Sequence, residues 1–156
     1  MFINNIVITP VMAIQIIIPD TSVLYPIETS FKDYQKKRDY PLYLTRDKVI
    51  DDTVVLDIDP IFLKEDPGNE GHYFCLDGTF RTSLATLFGI GIEALVFQNT
   101  DDCDSISNKL RRNFLYAHAY GIRAQQAGVN SFKDLAKGIN IEWLDTDMRE
   151  KYKVMI

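Results

Sequence analysis

The stretch YFCLDGTFRTSLATLFGIGIEALVF, residues 73–97, changes its hydrophobic period twice. Residues 73–77 alternate, with Tyr73, Cys75 and Asp77 on one side and Phe74 and Leu76 on the other. From Thr79 to Phe88 the apolar residues Phe80, Leu84, Leu87 and Phe88 recur at helical spacing, and Gly89 stands where a helix-ending glycine is expected. IEALVF then reads as a second strand. Strand, helix and strand with short joins is the pattern of a crossover unit. It predicts an α/β fold with the Asp77-Gly78 turn at the carboxyl end of a strand, where open α/β sheets bind ligands.

The flanking sequence extends this plan. NNIVIT and AIQIII, split by Pro10, predict short strands at a sheet edge. SFKDYQKKR predicts a short helix capped by Ser30 and ended by Pro41. TVVLDIDPIFLKE reads as strand interrupted at Pro60, and DPGNEG supplies a tight reversal, so IFLKE and HYFCL form a predicted β-hairpin. After NTDDCDS the pattern becomes helical. Asp104 or Ser105 caps a helix stopped by Gly121 or Gly128, Ser131 caps FKDLAKG, and a last short helix lies in IEWLDTDMREKYKVMI. The expected organisation is an α/β domain over residues 1–100 and a helical extension over 101–156.

Composition narrows the function classes. A chain of 156 residues with 46% hydrophobic side chains can bury a core, and a formal charge of -5 argues against a protein that mainly coats nucleic acid. The basic runs Lys32, Lys36, Lys37, Arg38 and Lys109, Arg111, Arg112 read as solvated faces. Two distant cysteines and two histidines form no zinc or redox motif, and a reducing, cytoplasmic setting is expected without a structural metal. The apolar N-terminus has no basic residue before Lys32 and is broken by Pro10 and Pro19, so neither a signal peptide nor a spanning helix is expected.

The turn at Asp77 is the candidate site. The first amides of a helix have no backbone acceptor, and aligned peptide dipoles leave partial positive charge there. A phosphate satisfies both, particularly where a glycine permits close approach and an arginine adds forked donors. Gly78, Thr79 and Arg81 supply approach, hydroxyl and charge, and Thr82 and Ser83 add hydroxyls within one turn. Asp77 repels a bare phosphate unless it orients Arg81 or holds magnesium. As a purely structural turn, the same residues would cap a helix and pair with a surface carboxylate. Cys75, on the strand and not at the helix start, reads as a buried apolar residue.

The stretch PIFLKEDPGNEGHYFCLDGTFRTSLATLFGIGIEALVFQ resembles the core of the ParB/sulfiredoxin-like fold, in which a hairpin leads into a Gly-x-x-Arg signature at a helix start. Sulfiredoxins carry Gly-Cys-His-Arg there, ParB-type partition proteins Gly-Glu-Arg-Arg, and free-serine kinases a motif like Asp-Gly-His-His-Arg. This chain has Asp77-Gly78-Thr79-Phe80-Arg81. The resemblance implies a small mixed-sheet domain in which Gly78, Thr79, Phe80, Arg81 and Thr82 bind nucleotide phosphates, ATP or another nucleotide with Mg²⁺. It implies that Asp77 assists the metal or a substrate hydroxyl, and that Glu28, in the segment before the first helix, is the second catalytic carboxylate. Thr79 stands where sulfiredoxins have their nucleophilic cysteine, which excludes that sulfur chemistry. Phe80 replaces a basic phosphate contact.

These residues lead to a nucleotide-binding protein, an ATP-dependent phosphotransferase or NTP hydrolase acting on a small-molecule or protein substrate. The alternatives are a ParB-like DNA-binding or nuclease protein and a non-enzymatic adaptor. For the first, RAQQAGVNSFKDLAKG resembles a helix-turn-helix, but Asp134 and Lys137 fall where its second helix needs apolar groups. For the second, the aromatic residues Phe114, Tyr116, Tyr120 and Trp143 of the tail offer packing against the sheet or a partner.

Overall fold

The computed structural model describes residues 13–30 and 45–154. The strands are β1 (Ile14–Ile18), β2 (Leu24–Tyr25), β3 (Asp47–Ile50), β4 (Thr53–Leu56), β5 (Ile61–Glu65), β6 (Tyr73–Asp77) and β7 (Ile92–Phe97). The helices are α1 (Thr79–Phe88), α2 (Thr100–Asp104), α3 (Asn108–Gln126), α4 (Phe132–Ala136) and α5 (Thr146–Lys151). One mixed sheet has the order β1-β7-β5-β6-β2, and β3 and β4 form a separate hairpin. The fold is therefore α/β, as the sequence implies. The expected helix in SFKDYQKKR and the NNIVIT strand lie outside the described residues.

The predicted hairpin forms: β5 and β6 are antiparallel, with a bulge between Phe62 and Leu63, and Asp66 and His72 close the turn at 2.9 Å. The crossover does not take its expected form. β6 already pairs with β5 on one edge and β2 on the other, so β7 has no place beside it. Instead α1 carries the chain past β5, and β7 runs parallel to β5 and hence antiparallel to β6. β1 is the edge strand beside β7.

Helices cover both faces of the sheet. Side chains alternate along β6, so Cys75 joins Ile61, Leu63, Phe80, Leu84 and Phe88 in one cluster, while Phe74 and Leu76 join Leu110 and Ala117 of α3 in the other. Each fully buried large apolar side chain contributes about 1.5–3 kcal/mol relative to exposure. Phe132, Leu135, Ile139, Leu144 and Met148 from the C-terminal third complete the first cluster.

The helix boundaries differ in detail from the sequence expectation. Asn99 caps α2 and Ser107 caps α3, each accepting from a backbone amide, so neither Asp104 nor Ser105 opens the long helix. Gly121 does not stop α3, because it is buried and carries the helix close to the Phe74 ring; the chain turns at Gly128, with φ 91°. Ser131 and Asp134 form a reciprocal capping box on α4. At Tyr116 the dihedrals leave the helical region, and the Lys64 ammonium donates to the neighbouring Phe114 carbonyl at 2.9 Å. Among the described residues, no helix is long and apolar enough to cross a membrane.

Candidate functional site

The turn from β6 into α1 is built on Gly78. Its φ of 109° lies in the left-handed region, and a Cβ there would lie 2.4 Å from Ile61 Cγ2. Gly78 is the N-cap residue and has no side chain to offer, so α1 starts without a side-chain cap hydrogen bond or an acidic residue in its first turn. The first helical donor is the Thr82 amide, bonded to Gly78 O at 2.9 Å, and the amides of Thr79, Phe80 and Arg81 precede it.

Glu28 approaches this helix start from a segment 51 residues away. The Thr79 hydroxyl donates to Glu28 Oε1 at 2.6 Å, which sets a carboxylate beside the positive end of the helix dipole. Asp77, at the end of β6, has a side chain 43% exposed. Glu28 reaches the first residue of α1 through Thr79, and Asp77 is tied to the same helix through Arg81.

Arg81 is directed differently from the sequence expectation. It is 7% exposed; its Nη1 donates to the carbonyls of Asp59 at 3.0 Å and Pro60 at 2.7 Å, and its Nη2 to Asp77 Oδ2 at 3.1 Å. The guanidinium thus clamps the segment before β5 to the β6–α1 turn. A grip on phosphate is not what these η nitrogens do here, because protein acceptors already occupy their forked geometry.

Burial also corrects the expected contacts of Thr79, Phe80 and Thr82. Thr79 is 2% exposed, and its hydroxyl is already committed to Glu28. The Phe80 side chain is 3% exposed and packed in the core, so only its backbone can face a ligand. The Thr82 hydroxyl is fully buried, 3.7 Å from Cys75 Sγ, and does not line the helix start. Ser83 is also buried and donates to Thr79 O at 2.7 Å. Burial pushes the Cys75 thiol up to about 12, against the opposing hydrogen bond from Thr82, as expected for an inert apolar residue.

A cavity of about 110 Å³ opens beside Asp77, between the end of β6 and the start of α3, with Phe62, Ser107, Lys109 and Asn113 in its wall. It is small beside typical cofactor sites of roughly 300–1,000 Å³. Lys109 belongs to the run read from sequence as a solvated face. Its position near Asp77 follows from the packing of α3 on β6, where Asn113 donates to Leu76 O at 2.9 Å. The only sequence signal for it was that basic run.

Among the described residues, no group of three or more His, Cys, Asp or Glu side chains could hold a metal ion. Magnesium does not require one: it commonly binds through one or two carboxylates, water and substrate phosphates. Asp77 fits that mode because it is partly exposed and uses Oδ2 for Arg81. Comparisons of the chain with protein-family models, curated proteins and solved structures found no match.

Proposed function

We propose that this chain is a nucleotide-binding protein of ParB/sulfiredoxin type that acts as a phosphotransferase at the start of α1. The observation that carries this reading is the Glu28–Thr79 hydrogen bond at the start of a helix without a side-chain cap. The backbone amides opening α1 supply the donors for phosphate oxygens, and Lys109 shares with Asp77 the wall of the small cavity at the end of β6. Asp77 would be the protein ligand for Mg²⁺, which would neutralise charge on the phosphates. Glu28 takes the proton of the acceptor hydroxyl, a role for which a carboxylate must reach hydroxyl hydrogen-bond distance, as it does with Thr79. Arg81 supports the site by fixing the turn and orienting Asp77.

The inward Arg81 and buried Phe80 favour a second reading: an adaptor that keeps this turn as structure and performs no chemistry. Titration of the full chain with ATP, CTP and ADP, with and without Mg²⁺, separates the two. Saturable, magnesium-dependent binding supports the first, and no saturable binding at about millimolar nucleotide supports the second. The DNA-binding alternative draws less support. α4 has only five residues where a recognition helix would lie, and Asp134 is used in its capping box.

A further inference from the structure

We propose that a second cavity, formed by β2, the start of β6 and the second half of α3, binds a small organic cation of the quaternary-ammonium class. It has a volume of about 210 Å³ and lies near Phe74, toward the opposite end of β6 from Asp77. The site is independent of the phosphate reading.

Its aromatic wall follows from a close helix–strand approach. A Cβ on Gly121 would lie 3.3 Å from Phe74 Cε1, so the glycine lets α3 draw near the sheet. Phe74 is tilted 51° to Tyr25, with ring centroids 5.2 Å apart, and 87° to His118 at 6.1 Å. The three rings therefore form inclined walls rather than one flat stack. Tyr25 is itself held in place by His72, stacked at 5.7 Å, and by the Asn69 amide, which donates to its hydroxyl at 2.8 Å.

The charge of the cavity selects the ligand. Asp66 stands in its wall, and the lining contains neither lysine nor arginine. Asp66 belongs to the hairpin turn, where its Oδ1 accepts from the Gly68 amide at 2.9 Å, while Lys64, cross-strand from Phe74, donates to the Phe114 carbonyl and is not in the cavity wall. Such a wall disfavours phosphate and favours a cation against aromatic rings, where desolvation strengthens cation–π attraction. The volume, below that of typical drug-sized sites, suits a compact ammonium head.

The test is a ¹⁵N-resolved NMR titration of the full chain with choline, with tetramethylammonium, and with 3,3-dimethylbutan-1-ol, the neutral analogue of choline in shape. The expected result is saturable binding of both cations, with shifts centred on Tyr25, Phe74, His118 and Gly121, and binding of the neutral alcohol at least about tenfold weaker. Asp66→Asn, which keeps an oxygen for the turn, weakens the cations without affecting the alcohol. Tyr25→Leu, checked for folding by its spectrum, weakens the cations as well. Equal affinity for the alcohol, shifts centred elsewhere, or no saturation by either cation at tens of millimolar would overturn the proposal.

Discussion

Thr79 and Glu28 are joined by a 2.6 Å hydrogen bond that ties the segment after β2 to the first residue of α1. Glu28→Gln keeps an acceptor for the Thr79 hydroxyl but cannot accept a substrate proton. The proposed phosphotransferase therefore loses about 10²–10⁴-fold in turnover while its nucleotide affinity stays nearly constant. Glu28→Ala also loses the bond and lowers stability by about 1–2 kcal/mol. Steady-state kinetics and urea unfolding on the same variants read the two effects separately.

Arg81→Ala removes a buried guanidinium and leaves the Asp59 and Pro60 carbonyls without it. A loss of about 3 kcal/mol is expected, seen as a lower urea midpoint. Arg81→Lys recovers only part of it, because an ammonium cannot reproduce the planar fork. A midpoint unchanged in Arg81→Ala would show that the clamp contributes nothing to the fold.

Gly78 and Gly89 both have positive φ, but only Gly78 has a neighbour within Cβ contact. Alanine at either position meets backbone strain, whereas alanine at Gly78 also meets Ile61. Gly78→Ala should cost about 1–3 kcal/mol more than Gly89→Ala in thermal or urea unfolding. Equal costs would remove the steric argument for the turn.

Asp47 links the β3–β4 hairpin to the C-terminal helix, accepting from Lys151 at 2.7 Å and from the Tyr152 hydroxyl. The Lys151 bond, then the Tyr152 bond, hold its carboxyl below the ordinary aspartate range. Because the folded value is depressed, the stabilisation is complete above the unfolded value of about 3.9 and is lost as pH falls through the folded one. The difference in melting temperature between wild type and Asp47→Asn is expected to be flat near neutrality and to shrink below about pH 4. A difference that grows on acidification would contradict this.

Neither cysteine should react in the folded chain. Burial is the main cause that pushes Cys75 up to about 12 and Cys103 up to about 11, and both side chains are fully enclosed. A thiol-specific reagent at about pH 8 is expected to label neither residue until denaturant is added, and then both. Rapid labelling of the native chain would show that one is accessible.

Local sequence grammar carried much of this fold. The period changes around Asp77-Gly78 and Gly89 mark β6, α1 and β7, and DPGNEG marks the central hairpin. Strand partners were harder to read, because period does not say which edge is free. β5 lies between β6 and β7, and the β3–β4 hairpin turns on Asp51 and Asp52, which take positive φ without a glycine to signal it. At the site, residue types suggested Gly78 and Arg81, but the direction of a guanidinium depends on carbonyls more than 20 residues away. Glu28 was suggested by resemblance, and its contact with Thr79 emerges only from tertiary packing.

The most direct test of the account is calorimetric titration of the full chain with ATP and Mg²⁺, beside Asp77→Asn. Saturable binding near or below about 1 mM, dependent on Mg²⁺ and weakened in the variant, is the predicted result. Wild-type protein that takes up no nucleotide under these conditions would contradict phosphate recognition at the start of α1.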